Sequence, residues 1–283
     1  MARRLGVAVT TLRTWHQRYG LGPSLHEPGQ HRRYTEQDIE RLETMQRLIA
    51  AGVAPGEAAR WATRGPEQRP TATVEVTPDD VQPSIRGLER AALRLDAPVI
   101  RQIVSQAVRR LGVVVAWDEV LLPVLTWIGD RHAATGGLVE VEHLLSTCIS
   151  AALSAVPRPS PTVPLRIMLA CADEEQHSLP VEALAAALAA TGVPVRMLGA
   201  RVPTSALLAA VRRTGPSALL VWSHDRSTGD PDQLEAVLAE RNRPLVLAAG
   251  GPGWDPAELP AEVNRPLSLN EAITQLTAYP TYP

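Results

Sequence analysis

Apolar positions recur at two different periods along this chain, and the change of period divides it. Between residues 6 and 64 the spacing is helical but interrupted. GVAVTTLRTWHQRYGL reads as a turn and a helix, and Ile39, Leu42, Met45, Leu48 and Ile49 form one stripe after an N-cap signal at Thr35 and Asp38. PGEAARWA supplies a further short helix. SLHEPGQHRRYT is polar, with Pro28–Gly29 at its tip, and carries a hairpin signal. Residues 64–84 hold four prolines and almost no apolar periodicity, which predicts a linker. Helical spacing returns over 85–157. Leu88, Ala91, Ala92 and Leu95, then Ile100, Ile103, Val104 and Ala107, then Trp117 to Ile128 and Glu142 to Val156, predict a four-helix bundle. After the proline-rich PRPSPTVP, the short apolar runs LRIMLAC, PVRMLG, SALLVWS and PLVLAAGG alternate with helical segments. That alternation predicts a parallel sheet with crossover helices over 165–283. The chain is therefore expected to be multidomain: an all-α head at 1–63, a helical bundle and an α/β domain.

Composition narrows the function classes. Of 283 residues, 45% are hydrophobic and 20% charged, the balance of an ordinary globular protein. Cys148 and Cys171 cannot build a disulfide framework, and neither they nor the seven histidines fit a zinc spacing. Both thiols sit in apolar segments and read as core, and no nucleophile–base arrangement is visible, so an enzyme is not expected. No apolar run approaches the roughly 18 residues of a membrane span, and the N-terminus lacks a signal-peptide core. A cytoplasmic protein with no membrane partner is the expectation. All 28 basic residues are arginine and Phe is absent, as codon bias in a GC-rich genome would produce. Position, not abundance, must then carry any argument from arginine. Ten arginines face six acidic residues over 1–64, whereas 18 face 24 in the remainder, so a basic head joins an acidic body.

Helix, basic hairpin, helix, helix is the plan of a winged helix-turn-helix, with one helix in the major groove and the wing on the backbone. Here GV-x3-TLR-x-W-x2-RYGL, G-x2-RRY, D-I-x-R-L and GV-x3-EAA resemble the MerR family of transcriptional regulators. Ala2–Leu5 would be the remainder of that family's first helix. The resemblance implies that Thr11, Arg13, Arg18 and Tyr19 belong to the recognition helix, with Arg13 and Arg18 on phosphates or base edges. It also implies that Arg32, Arg33 and Tyr34 make the wing's backbone contacts. The implied partner is a double-stranded DNA operator. Because such operators are two-fold symmetric, self-association as dimer or tetramer is expected.

The bundle followed by a Rossmann-like (flavodoxin-like) domain resembles the cobalamin-binding module of CarH-type, light-responsive MerR regulators. Three segments carry this. Glu175–Gln176–His177 follows the strand LRIMLAC and matches the family's E-x-H-x-x-G loop, which implies that His177 is the metal residue, the lower ligand to cobalt. Glu142–His143 matches the end of a W-x9-EH motif over the upper face of the corrin, with His132 standing where the family has Trp. Ser223 and Gly250–Gly251 fall where the family admits the cofactor's nucleotide tail. Pro180 replaces the glycine of the axial loop, and Trp222 brings a large indole to the tail channel. The implied cofactor is cobalamin, adenosylcobalamin in particular. The departures at His132, Pro180 and Trp222 are also compatible with haem or a bilin, or with a body that binds nothing and only dimerises.

Overall fold

The computed structural model describes residues 7, 9–24, 34–50, 55–63, 78–160 and 163–278. The chain divides into two compact units, the head at 1–73 and the body at 74–282. In the head, α1 (Val9–Tyr19), α2 (Glu36–Ala50) and α3 (Pro55–Thr63) surround a small core. Leu12 and Trp15 of α1 meet Leu42 and Met45 of α2 and Ala58, Ala59 and Ala62 of α3, with Leu21 beside them. The cap signal is realised as a reciprocal box. Asp38 donates its N–H to Thr35 Oγ1 at 3.2 Å, and Thr35 donates its own to Asp38 Oδ2 at 3.0 Å. The hairpin tip and two of its candidate residues, Arg32 and Arg33, lie outside the described residues.

The body opens with α4 (Pro78–Leu93), so residues 78–84 are helical where the sequence pattern predicts linker. Two prolines in that stretch suggested a coil. Pro78 falls at the first helical position, which needs no N–H, and Pro83 sits inside the helix at the loss of one backbone bond. Val81, Ile85 and Leu88 reach the bundle core, and that burial outweighs the loss. Helix α5 (Ala97–Ala116), capped by Asp96 on the Val99 N–H, passes through a π-helical turn at Trp117–Leu121 into α6 (Leu122–Thr135). This continuous run is long and apolar enough to cross a membrane by length and composition, which the sequence reading did not anticipate. It is broken at Gly112, whose φ of 77° only glycine adopts without strain, and Ile100, Val104, Val120, Val124 and Ile128 are buried in the bundle. These are the features of a core helix pair. Helix α7 (Val139–Ser154) completes the four.

The α/β domain runs β1 (Ile167–Cys171), α8 (Leu179–Ala190), β2 (Val195–Gly199), α9 (Thr204–Thr214), β3 (Ala218–Trp222), α10 (Pro231–Leu238), β4 (Val246–Gly250), β5 (Val263–Asn264) and α11 (Leu269–Thr277). The sheet is parallel with strand order β2-β1-β3-β4-β5, the flavodoxin-like doubly wound order. β1 and β4 are buried at every position and β3 at all but its last, and this is why they read as unbroken apolar runs. One sheet face packs on α8 and α11, the other on α9 and α10. Helix α8 is apolar all round because it serves two cores. Val181, Leu184 and Leu188 meet the sheet, while Ala183, Ala186 and Ala187 meet the bundle. The order reverses between β1 and β3, so their carboxyl ends form the crevice where such sheets bind ligands.

Candidate functional site

On α1 the buried side is set by Leu12 and Trp15, which leaves Thr10, Arg13, Thr14 and Gln17 exposed along one face, with Arg18 at its edge. Arg13 and Arg18 are thus free to meet a polyanion, and Thr11 is half-buried. Tyr19 and Tyr34 are placed differently from the expectation. Both lean on the head's core, and the Tyr19 ring lies 3.7 Å from where a Cβ on Gly56 would stand. Their rings serve packing first. Gln17, which the sequence motifs do not mark, shares the face of Arg13 and was legible only from the helical period.

In the body, the loop after β1 meets the loop after β3 across the switch point. Its organising residue is Glu175, 1% exposed. One carboxylate oxygen, Oε1, accepts the His177 N–H at 2.7 Å and lies 2.6 Å from His177 Nδ1; the other, Oε2, accepts the His224 N–H at 2.6 Å and the Thr228 hydroxyl at 2.8 Å. Each hydroxyl has one proton. Thr228 gives its proton to the carboxylate, and the hydroxyl of buried Ser223 lies 2.8 Å from Thr228 Oγ1 and 3.0 Å from the Asp225 carbonyl oxygen, both within reach of its one proton. Burial pushes the Glu175 carboxyl up, but the two backbone N–H groups, Thr228 and the His177 ring outweigh it and hold it at about 2. A carboxylate charged across the whole physiological range keeps the proton of His177 on Nδ1 and leaves the Nε2 lone pair outward. The His177 ring is 52% exposed, and the His224 ring lies 4.5 Å away at 45°.

These loops border a cleft of about 360 Å3, lined by Glu174, Glu175, Gln176, His177, Asp225, Ser227 and Thr228. Glu174 and Arg201, an ion pair across its rim, both hold positive φ, of 60° and 51°. Backbone strain of this kind gathers where a site is built. Pro180 falls at the second position of α8, where its missing N–H costs nothing, so the loop accommodates it. Cys171 is buried beneath, its thiol pushed up to about 12 by burial with Glu175 and Glu182 adding, which makes it inert at neutral pH.

Bundle candidates do not join this cleft. His132 lies in the last turn of α6 with Nδ1 2.7 Å from Gly137 O, closing the turn into α7, while Glu142 is half-buried and His143 exposed on α7.

Comparison with known proteins bears on both units. Residues 1–64 match the MerR HTH family of regulatory proteins, and residues 84–156 match a B12 binding domain. The HTH-type transcriptional repressor CarH of Myxococcus xanthus is 31% identical over 88% of this chain and 86% of its own length. The chain belongs to the CarH-type MerR family. Its body also shares a fold with the monomethylamine corrinoid protein of Methanosarcina barkeri. That structure aligns over 68% of this chain and 96% of its own, with a TM-score of 0.54 at 15% identity.

Within this CarH-type chain the glycine pair has a role of its own. A Cβ on Gly250 would stand 3.1 Å from Leu220 Cδ2 and 3.3 Å from Trp222 Cε3. Gly251 has φ 98°, and a Cβ there would stand 2.1 Å from the Ser223 carbonyl oxygen. The room these glycines leave is taken by the chain's own β3 end, whereas the sequence reading gave it to a ligand. Trp222 presses its indole on both, with its N–H buried and unpartnered among the described residues. Gly251→Ala is accordingly expected to cost about 3 kcal/mol, from positive φ and steric overlap together, read as a lower denaturation midpoint of the body. His224 and Thr228, both bound to Glu175, are site residues that no spacing in the sequence marked.

Proposed function

We propose that this chain is a transcriptional repressor that binds double-stranded operator DNA through its head and senses a cobalamin-type cofactor, adenosylcobalamin foremost, through its body. One observation carries the cofactor part: the buried carboxylate of Glu175 holding His177 by Nδ1 at the rim of a cleft on the sheet's switch point. A neutral imidazole presented by Nε2 and oriented by a carboxylate suits a transition metal, so the residues present fit cobalt. What the cofactor supplies when bound is a light-sensitive cobalt–carbon bond. The chain does the rest. His177 would hold the cobalt through Nε2 with Glu175 fixing its tautomer, and Glu142 and His143 would meet the cofactor from the bundle, as the resemblance implies. Light or cofactor state then alters self-association between dimer and tetramer. Linked heads gain DNA affinity through effective concentration, so assembly sets occupancy of a cytoplasmic operator.

Trp222 favours a second reading. An indole seated on Gly250 and Gly251 occupies the room that the glycine pair leaves, as a module for another tetrapyrrole, haem or a bilin, or for none, would have it. An absorption spectrum of the desalted protein after incubation with adenosylcobalamin in the dark and again after illumination, with size-exclusion elution in parallel, separates the readings. Retained pigment whose spectrum and elution change with light is the expected result. Loss of the corrinoid with retention of haem or biliverdin would replace it by the second reading.

A further inference from the structure

The body carries a surplus of acidic residues, but one part of it is strongly basic. Over residues 85–115 six arginines, Arg86, Arg90, Arg94, Arg101, Arg109 and Arg110, stand against two acids, Glu89 and Asp96, a balance of +4. All six arginines are exposed on the hairpin of α4 and α5. Neither acid offsets them. Glu89 is half-buried, and Asp96 spends its carboxylate on the Val99 N–H.

The arrangement on α4 is the most ordered. Val81, Ile85, Leu88 and Ala92 turn one side of the helix to the bundle core. That leaves Arg86, Arg90 and Arg94, four residues apart, in line on the opposite side. Arg94 stands just past the helix yet keeps its period, since its N–H donates to the Arg90 carbonyl at 3.3 Å. The three side chains therefore leave the backbone along a line of about 12 Å. None has an ion-pair or hydrogen-bond partner among the described residues, whereas Arg201, Arg212 and Arg226 of the sheet domain are paired with Glu174, Glu240 and Asp255. Like charges four apart on a helix repel, so the ridge is unfavourable by itself and is relieved by a line of negative charge.

We propose that this ridge is a second DNA-contacting surface, on the body, which takes the phosphate backbone of double-stranded DNA without regard to sequence. The proposal rests on the reading of the head as a DNA binder. α4 is the first helix after the head along the chain, so DNA held by the head raises the effective concentration of phosphate at the ridge. Arg101, Arg109 and Arg110 add to the positive field of the hairpin. Affinity gained in this way is greatest at low salt and equal for every sequence, and base readout stays with α1.

The test uses the full chain and a duplex of about 40 base pairs of arbitrary sequence, titrated at several salt concentrations so that the slope of log K against log salt counts the phosphates met. Replacing Arg86, Arg90 and Arg94 together by Gln, an equally good helix former, should leave the melting midpoint in place. This variant is expected to bind about tenfold more weakly at about 50 mM salt, with the slope reduced by about two. Lysine at the same three positions keeps the charges and should keep the parent slope. Sedimentation without DNA should show the same self-association in all three proteins. An unchanged slope in the Gln variant refutes the ridge as a phosphate contact, and so does a Lys variant as weak as the Gln variant. Loss of self-association together with DNA binding would assign the ridge to a second copy of the chain and overturn the proposal equally. Replacing Arg13 and Arg18 of the head together by Ala tests the reading beneath it. If that change leaves DNA binding intact, the head reading fails, whatever the ridge does.

Discussion

Replacing Glu175 by Ala is expected to destabilise the body by about 4 kcal/mol, because the N–H groups of His177 and His224 and the Thr228 hydroxyl lose their acceptor in a buried place. Chemical denaturation of the body reads this directly. Gln in the same position fills the space but presents an amide nitrogen to donors and carries no charge, so a smaller loss is expected. The charge also makes a pH signature. Glu175 titrates at about 2 in the folded chain against an ordinary value near 4.5. A depressed carboxylate contributes its stability fully above the unfolded value and loses it as pH falls from about 4.5 to about 2. The contribution is on the order of 3 kcal/mol. Glu175→Gln should flatten the stability–pH curve in that window and leave it unchanged near pH 7 in slope; an unchanged acid slope would count against the network.

His177→Ala is expected to separate what Glu175→Ala merges. The ring is half exposed and makes its close contacts with Glu175 and His224, so its removal should leave the melting midpoint nearly unmoved. Corrinoid affinity, by contrast, should fall about a hundredfold, since the first ligand is lost and the losses known for orienting groups alone already reach ten- to a hundredfold. The bound visible spectrum should lose the signature of an imidazole ligand, and added free imidazole should restore it in part. A variant that binds corrinoid with parent affinity and spectrum would show that the metal takes another ligand.

Much of this was legible in the chain because the physics was local. β1, β3 and β4 announce themselves since parallel strands buried on both faces have no polar alternation, and the Thr35–Asp38 spacing marks the start of α2. The prolines at 78 and 83 misled because a helix start tolerates the first and an apolar stripe through Val81 and Leu88 overrides the second. β5 has two residues, too few for any periodicity to register. His177 and Glu175 lie two residues apart on one loop, so their pairing showed in the sequence. His224 and Thr228 reach the same carboxylate from 49 and 53 residues away, and only the strand order β1-β3 brings them there. Gly250 and Gly251 illustrate a different limit. A bare backbone signals close approach, but sequence does not say by what, and here the neighbour is the chain's own Trp222 and Ser223.

Helix α8 has no solvent side to spare, since its alanine face closes the bundle while its leucine and valine face closes the sheet. Anyone wishing to graft this body onto another head must therefore treat residues 78–278 as one indivisible cassette. A cut in the proline-rich stretch between Val156 and Ile167, inviting as it looks on paper, would deliver a bundle missing a wall and a sheet domain wearing an oily stripe.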